Sequence, residues 1–206
     1  MIEKNKLKTP PARMRDRDVR AAVLSKVLKE HARDQSTLVV EELGIEHGDY
    51  RVDIAVVNGF LHGYELKSES DNLLRLPGQS AAYSRTFDRV TLVVHESHYH
   101  EAIELVPAWW GIKVASHGAR GAVNIATERA VGSNPCVCLF SMAHLLWRTE
   151  AVEILQALGV EKKALRQNRA FLYQSMVDLM EPVQLRQVIR ERLKSRVTWR
   201  ENVSPS

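Results

Sequence analysis

Cysteine is scarce in this chain: Cys136 and Cys138 are the only two. With a single residue between them they cannot build a disulfide framework, and they lack the spaced pairs of a zinc site. They read as reduced core residues, which fits a cytoplasmic protein. No run approaches the roughly 18 apolar residues of a membrane-spanning helix, so no membrane partner is expected. The start, Met1-Ile2-Glu3-Lys4-Asn5-Lys6, is charged with no apolar stretch behind it, so no secretory signal is expected. Repeats and low-complexity stretches are missing too. What remains is a globular composition of 206 residues, 45 % of them hydrophobic, with a mean hydropathy of -0.25. That excludes a wholly disordered chain. The length fits one domain with an appendage, or two small ones.

The net charge of +4 is unevenly spread. Residues 1–35 carry +5, residues 36–140 carry -5, and residues 141–206 carry +4. An acidic middle between basic ends is either an ordinary solvated surface or a metal site whose basic flanks hold a polyanion.

Local patterns divide the chain. Residues 1–14, lysine-rich and containing Pro10-Pro11, are expected to form a flexible basic arm. Val19, Ala22, Val23, Val27 and Leu28 recur at helical spacing and predict an amphipathic helix over 16–33. Strands are expected over 37–43, 50–57, 60–68, 89–95 and 112–116, with a further one over 123–126. Helices are expected over 77–87, opened by Pro77, and over 98–105, with a short helical piece over 72–76. After Asn134-Pro135 the pattern turns helical, over 142–147, 150–158, 162–180 and 183–197, with Gly159 and Pro182 as punctuation. The expected organisation is a core over 15–133, a helical C-terminal region over 134–200 and a tail over 201–206. A mixed sheet flanked by helices, with an all-helical appendage, follows from the element order.

The stretch from Arg51 to Lys67 carries the chemistry. Asn58-Gly59 between apolar runs signals a hairpin. Glu65 and Lys67 are two apart and share a strand face. A two-residue turn would pair Val57 with Phe60 and put Asp53 on the opposite face. A three-residue loop, Val57-Asn58-Gly59 with Gly59 left-handed, would pair Val56 with Phe60 and Asp53 with Gly63, so that Asp53, Glu65 and Lys67 share a face. The apolar pattern favours the second register, leaving Val52, Ile54, Val56, Phe60, Tyr64 and Leu66 on the other face with His62 as the exception. A bulge at Gly63 would give the same alignment. Two neighbouring carboxylates repel unless a cation intervenes, and hard oxygen ligands suit Mg²⁺ or Mn²⁺. Such an ion polarises a phosphoryl oxygen and acidifies a bound water, while Lys67 is placed to orient that water or stabilise charge on phosphorus. The plainer alternative is an exposed strand with a Lys67–Glu65 surface pair, worth under about 1 kcal/mol.

Asp53 followed by Glu65-Leu66-Lys67 across a hairpin resembles the PD-(D/E)XK nuclease superfamily. The order helix, three strands, helix, strand is similar to that superfamily's core. Gln79-Ser80-Ala81-Ala82-Tyr83 resembles the QxxxY motif of its RecB-like branch, with Gln79 and Tyr83 on one helical face. The likeness covers about residues 17–117. Closer wording, in Arg51 to Gly59, Glu65 to Ser68 and Pro107 to Ile112, is similar to a bacterial family of small nuclease-like proteins and spans most of the chain. The resemblance implies an α/β restriction-endonuclease-like core that hydrolyses DNA. It implies Asp53 and Glu65 as metal ligands, the Leu66 carbonyl as a third, and Glu42 as a further acid from the preceding strand, with Glu41 as its rival. Lys67 would act on the water, and Gln79 and Tyr83 would brace the site or touch the DNA backbone. The proline of the superfamily name is absent, and Val52 stands before Asp53.

His95, His98 and His100 suggest a metal cluster, though an exposed loop and helix start is the plainer reading. Trp109-Trp110 is a base-stacking surface or, more simply, core. Gly118 to Gly121 lacks the context of a nucleotide-binding loop. The final helix carries Arg186, Arg190, Arg192, Lys194, Arg196 and Arg200, which are either phosphate grips or a solvated face partly neutralised by Glu191. The expected function is a Mg²⁺- or Mn²⁺-dependent deoxyribonuclease. The rival is a catalytically silent nuclease-fold module that binds DNA or protein, and a homodimer is left open.

Overall fold

The computed structural model describes residues 13–196, without the side chains of Ala32 and Arg120. The basic arm therefore lies outside the described residues except for Arg13 and Met14, and so do the 201–206 tail and Arg200 of the last basic run. Met14 is buried, so the part of the expected arm that is seen is anchored.

Six strands form one mixed sheet in sequence order: β1 (Leu38–Ile45), β2 (Tyr50–Val57), β3 (Leu61–Lys67), β4 (Arg89–His95), β5 (Gly111–His117) and β6 (Val123–Arg129). The first three are antiparallel, β3, β4 and β5 run parallel, and β6 returns antiparallel. The two parallel steps cross over through α2 (Leu76–Thr86) and α3 (Tyr99–Glu104). Both steps advance in one direction along the sheet. Crossovers of fixed hand then put both helices on one face, and residues of both share a core with Leu61, Leu92 and Ile112. The opposite face takes α1 (Asp16–Ala22), whose Val19 and Ala22 pack with Ile54, Val56, Tyr64, Leu66 and Val93. Alternation along β2 and β3 sends the two sets of apolar side chains to the two layers.

The C-terminal region contributes α4 (Leu139–Ala143), α5 (Arg148–Ala157), α6 (Arg169–Leu179) and α7 (Pro182–Ser195). Met142, Leu155, Met176 and Ile189 bury themselves in the same core as α2. The chain is thus a mixed α/β protein with a helical C-terminal region. No described helix is long and apolar enough to cross a membrane.

Several expectations are corrected. The first helix ends near Leu28 rather than Arg33, its last turn widened over Val23–Val27. No separate helix forms over 72–75, and Leu76 already opens α2. The single helix expected over 162–180 is broken: a short turn of helix spans Ala164–Arg166, and Asn168 restarts the chain by accepting the Phe171 N–H, so α6 begins at Arg169. Cys136 is exposed and Cys138 half-buried, so neither is a core residue. Trp110 is fully buried and stacks on Tyr83 with ring centroids 6.1 Å apart, as the core reading holds.

The hairpin register differs from both expected forms. Val57 pairs with Leu61 and Ile54 with Tyr64. The loop is Asn58-Gly59-Phe60, and Gly59 is not left-handed. Asn58 sets the turn instead: its Oδ1 accepts the Phe60 N–H at 3.0 Å and its own N–H donates to the Phe60 carbonyl at 3.1 Å. Phe60 is consequently exposed rather than part of the apolar face. A shift of two in the pairing preserves facing as far as the pairing runs; Asp53 lies just past its end at Ile54 and reaches the same cavity as Glu65 and Lys67. Gly63, on that same face, lies against the Phe87 ring, where a Cβ would approach to 3.3 Å.

Candidate active site

The β2–β3 ladder stops at Ile54 and Tyr64. Beyond it, Asp53 turns its bonding inward. Its Oδ2 accepts the Leu66 N–H at 2.7 Å, and its backbone carbonyl accepts Arg20 Nη1 at 2.9 Å. The two strands part there and open a cavity of about 440 Å³ lined by Asp53, Glu65, Leu66, Lys67, Glu42 and Gln79, with Arg20, Arg51 and Arg75 around it.

Glu65 sits at the bottom, 2 % exposed. Its Oε1 accepts Lys67 Nζ at 2.7 Å and Gln79 Nε2 at 2.6 Å. Lys67 Nζ also donates to Gln79 Oε1 at 3.0 Å. The Tyr83 hydroxyl is 2.7 Å from both Glu65 Oε2 and the Arg51 carbonyl, two acceptors for one proton. Burial, with the Glu65 charge beside it, raises the Tyr83 hydroxyl well above its ordinary range. Gln79 and Tyr83 project together because they are four apart on α2. The Lys67–Glu65 pair is buried, which removes the exposed-strand alternative. A buried charged pair needs further hydrogen bonds to offset its desolvation, and Gln79 and Tyr83 supply them.

Asp53 is pushed up to about 7, first by burial and then by the charge of Glu65, against the pull of the Leu66 N–H and Arg20. Near neutral pH it is short of positive charge. Hard carboxylate oxygens from Asp53, Glu65 and Glu42 around one cavity, one of them holding its proton for want of a cation, fit a divalent ion of the Mg²⁺ or Mn²⁺ kind.

Glu42 and Glu41 both enter through an unexpected backbone feature. Glu42 has φ 56°, left-handed and uncommon for a residue with a side chain. The twist lets neighbours that would face apart both reach one guanidinium. Arg20 Nη2 meets Glu42 Oε1 at 2.8 Å and Arg20 Nη1 meets Glu41 Oε2 at 3.4 Å. Of the two, Glu42 lines the cavity.

Arg20 is the residue the sequence reading missed. It was counted only among the basic residues of the first helix. It holds Asp53 Oδ1 at 2.9 Å and Asp16 Oδ2 at 3.2 Å as well as Glu41 and Glu42. The spacing of Asp16 and Arg20 marks a helical ion pair, but nothing local shows that this helix crosses behind β2.

Arg186 and Arg190 are not brought to the cavity. Both turn to the buried Asp88, at the other end of the sheet, where Asp88 Oδ2 also accepts the Leu61 N–H at 2.8 Å. Arg192 pairs with Glu153 and Arg196 with Glu150. These arginines hold the helical region together rather than forming a phosphate grip at Lys67. His95 corrects another reading, since it is the buried last residue of β4 rather than part of an exposed loop.

Comparison with known proteins finds no matching solved structure. Protein cII of Enterobacteria phage P4 is 31 % identical over 80 residues, covering 39 % of this chain and 30 % of that relative. The family model described as bacteriophage P4 protein cII matches residues 11–203, nearly the whole chain. The chain belongs to the bacteriophage P4 protein cII family.

Proposed function

We propose that this protein is a divalent-metal-dependent deoxyribonuclease with a restriction-endonuclease-like core of the PD-(D/E)XK kind. One observation carries the reading: Asp53, Glu65 and Lys67, from two adjoining strands, line one cavity in which Gln79 and Tyr83 fix Glu65. Asp53 and Glu65 would hold the ion, with Glu42 and the Leu66 carbonyl as further oxygens. When bound, it supplies Lewis-acid polarisation of the phosphoryl oxygen and a more acidic water. The chain's own residues do the rest. Gln79 and Tyr83 hold Glu65 in one rotamer. Lys67 presents its ammonium at the cavity, where it orients a nucleophilic water and offsets charge growing on phosphorus. Arg51 and Arg75, both exposed at the rim, suit a polyanionic backbone.

The test is incubation of plasmid, linear and branched DNA with and without Mn²⁺, comparing the parent with Asp53→Ala. Metal-dependent cutting by the parent alone is expected. Equal cutting by both would sink the reading.

A second reading has its own observation. Arg20 already ties Asp53 to Glu42, and Lys67 already ties Glu65. A cavity whose acids are all engaged by internal cations suits a silent module that binds DNA or a partner without cutting. Absence of Mg²⁺ and Mn²⁺ binding at millimolar concentration, together with retained DNA binding, would favour it.

A further inference from the structure

The three parallel strands all end at one edge of the sheet. His95 is the last residue of β4, His117 the last of β5, and Glu69 follows β3 by two. One donor atom from each lies within 4.8 Å of the other two. The His95 and His117 rings meet edge to face with centroids 5.8 Å apart, and His117 Nε2 is 3.4 Å from Glu69 Oε2. His98 and His100 take no part, so the cluster is made by strand topology and not by the histidine run.

His95 supplies a second, independent observation. It is 4 % exposed, and its Nε2 is buried with no hydrogen-bond partner. Its Nδ1 lies 2.8 Å from Ser97 Oγ. Nδ1 also accepts the Ser97 N–H at 3.2 Å, which leaves the ring proton on Nε2 as a buried donor with no acceptor. A buried polar atom without a partner needs a reason. An ion at Nε2 would take the other tautomer, the ring proton moving to Nδ1 and being donated to Ser97 Oγ, as metal-bound imidazoles regularly donate their second ring N–H. The carboxylate is also held: Glu69 Oε2 accepts the Met14 N–H at 2.9 Å, and Arg13 Nε lies 3.8 Å from Oε1.

We propose that Glu69, His95 and His117 form a transition-metal site, of the class taken by Zn²⁺, that is separate from the carboxylate cavity. Two imidazoles and one carboxylate select borderline ions over Mg²⁺. Tetrahedral ligands stand about 3.3 Å apart at usual bond lengths, so Glu69 and His117 close inward on binding. Both are about a quarter exposed and have room to do so. Three protein ligands leave a fourth position for water. His117 also lines a cleft of about 440 Å³ with Arg13, Arg15 and Arg17, which gives the ion a route in. Lys67 pairs in register with Val94, the residue before His95, so the two sites occupy opposite faces of the same sheet edge. This inference does not depend on the nuclease reading.

The experiment uses the full chain, stripped of metal by a chelator and titrated by calorimetry with Zn²⁺, and separately with Co²⁺ followed by its visible absorption. One Zn²⁺ per chain is expected, undisturbed by millimolar Mg²⁺, with Zn²⁺ quenching the Co²⁺ band. His117→Ala and Glu69→Gln, both at partly exposed positions, are checked for folding by circular dichroism. Each should weaken Zn²⁺ at least about a hundredfold, more than the loss of an outer-shell partner costs. Asp53→Ala should bind as the parent does. No Zn²⁺ binding at micromolar concentration, or equal binding by His117→Ala, would overturn the proposal. Loss of Zn²⁺ in Asp53→Ala, or displacement by Mg²⁺, would also overturn it by assigning the ion to the carboxylate cavity.

Discussion

Two acids in this molecule are each met by a guanidinium, and they end in opposite states. Glu150, at the start of α5, receives Arg196 Nε at 2.8 Å and Nη2 at 2.6 Å, and accepts the Trp147 N–H at 2.7 Å. Burial works to raise it, but the hydrogen bond and charge of Arg196 and the Trp147 N–H outweigh that and hold it below the usual carboxylate range. Asp53 meets Arg20, yet is pushed up to about 7 by burial and by Glu65. The difference lies in sharing. Arg196 gives a two-pronged contact to one carboxylate, whereas Arg20 is divided among Asp16, Glu41, Glu42 and Asp53. The Glu150 joint balances its charges, whereas the Asp53 cavity keeps a deficit of positive charge.

The contrast is most directly tested by deleting the acids. Asp53→Ala should cut Mn²⁺-dependent cleavage about a thousandfold, as several kcal/mol of charge stabilisation at about 1.4 kcal/mol per decade implies. Its melting temperature should stay close to the parent's. Glu150→Ala should behave the other way. It removes the carboxylate from Arg196, which keeps the Leu145 carbonyl and the Trp147 ring it covers at 4.2 Å, and breaking a buried pair from one side costs about 3 kcal/mol. Urea denaturation reads this, and cleavage of folded material should be unchanged. If Asp53→Ala unfolds and Glu150→Ala does not, the two roles are reversed.

A pH series sharpens the comparison. Asp53 rises from an ordinary 3.8 to about 7 on folding. The folded chain therefore holds a proton that the unfolded chain releases between those values. In metal-free buffer its contribution to stability is fully present below about pH 4 and is lost as pH rises through 7. Glu150 is lowered, so its contribution is present above the usual carboxylate range and is lost as pH falls below it. His62, pushed down to about 3 by burial, also loses stability as pH falls from 6.5. Subtraction of variant from parent isolates each group: Asp53→Asn minus parent should change with pH between 4 and 7, and Glu150→Gln minus parent only in acid. Mn²⁺ binding should also weaken as pH falls below 7.

The smallest effect belongs to Arg20→Ala. Freed of their shared guanidinium, Asp53 and Glu42 should bind Mn²⁺ about fivefold more tightly, the equivalent of roughly 1 kcal/mol for a partly exposed pair. Unchanged or weaker binding would favour the silent module.

Much of the cavity was legible because alternation is local. Asp53, Glu65 and Lys67 share a face in any register of the right parity, and Gln79 and Tyr83 come from the resemblance to the QxxxY motif, to which helical spacing adds only a common helix face. The actual register escaped because Asn58, through its side chain, sets the loop one residue later than glycine would. Arg20 escaped because helix-to-sheet docking leaves no mark within a short window. Glu69, His95 and His117 escaped for a related reason. They lie far apart in sequence and meet only because three parallel strands finish level, which no periodicity reveals. The break before α6 is marked by Asn168, whose cap on the Phe171 N–H is a one-residue signal beside the long apolar run that follows it.

Glu42 stands in a left-handed backbone turn that suits glycine, or asparagine, better than an acid. The chain's comfort and its chemistry thus pull apart at that position. Glu42→Gly would relax the strand by about 1 kcal/mol while stripping an oxygen from the cavity.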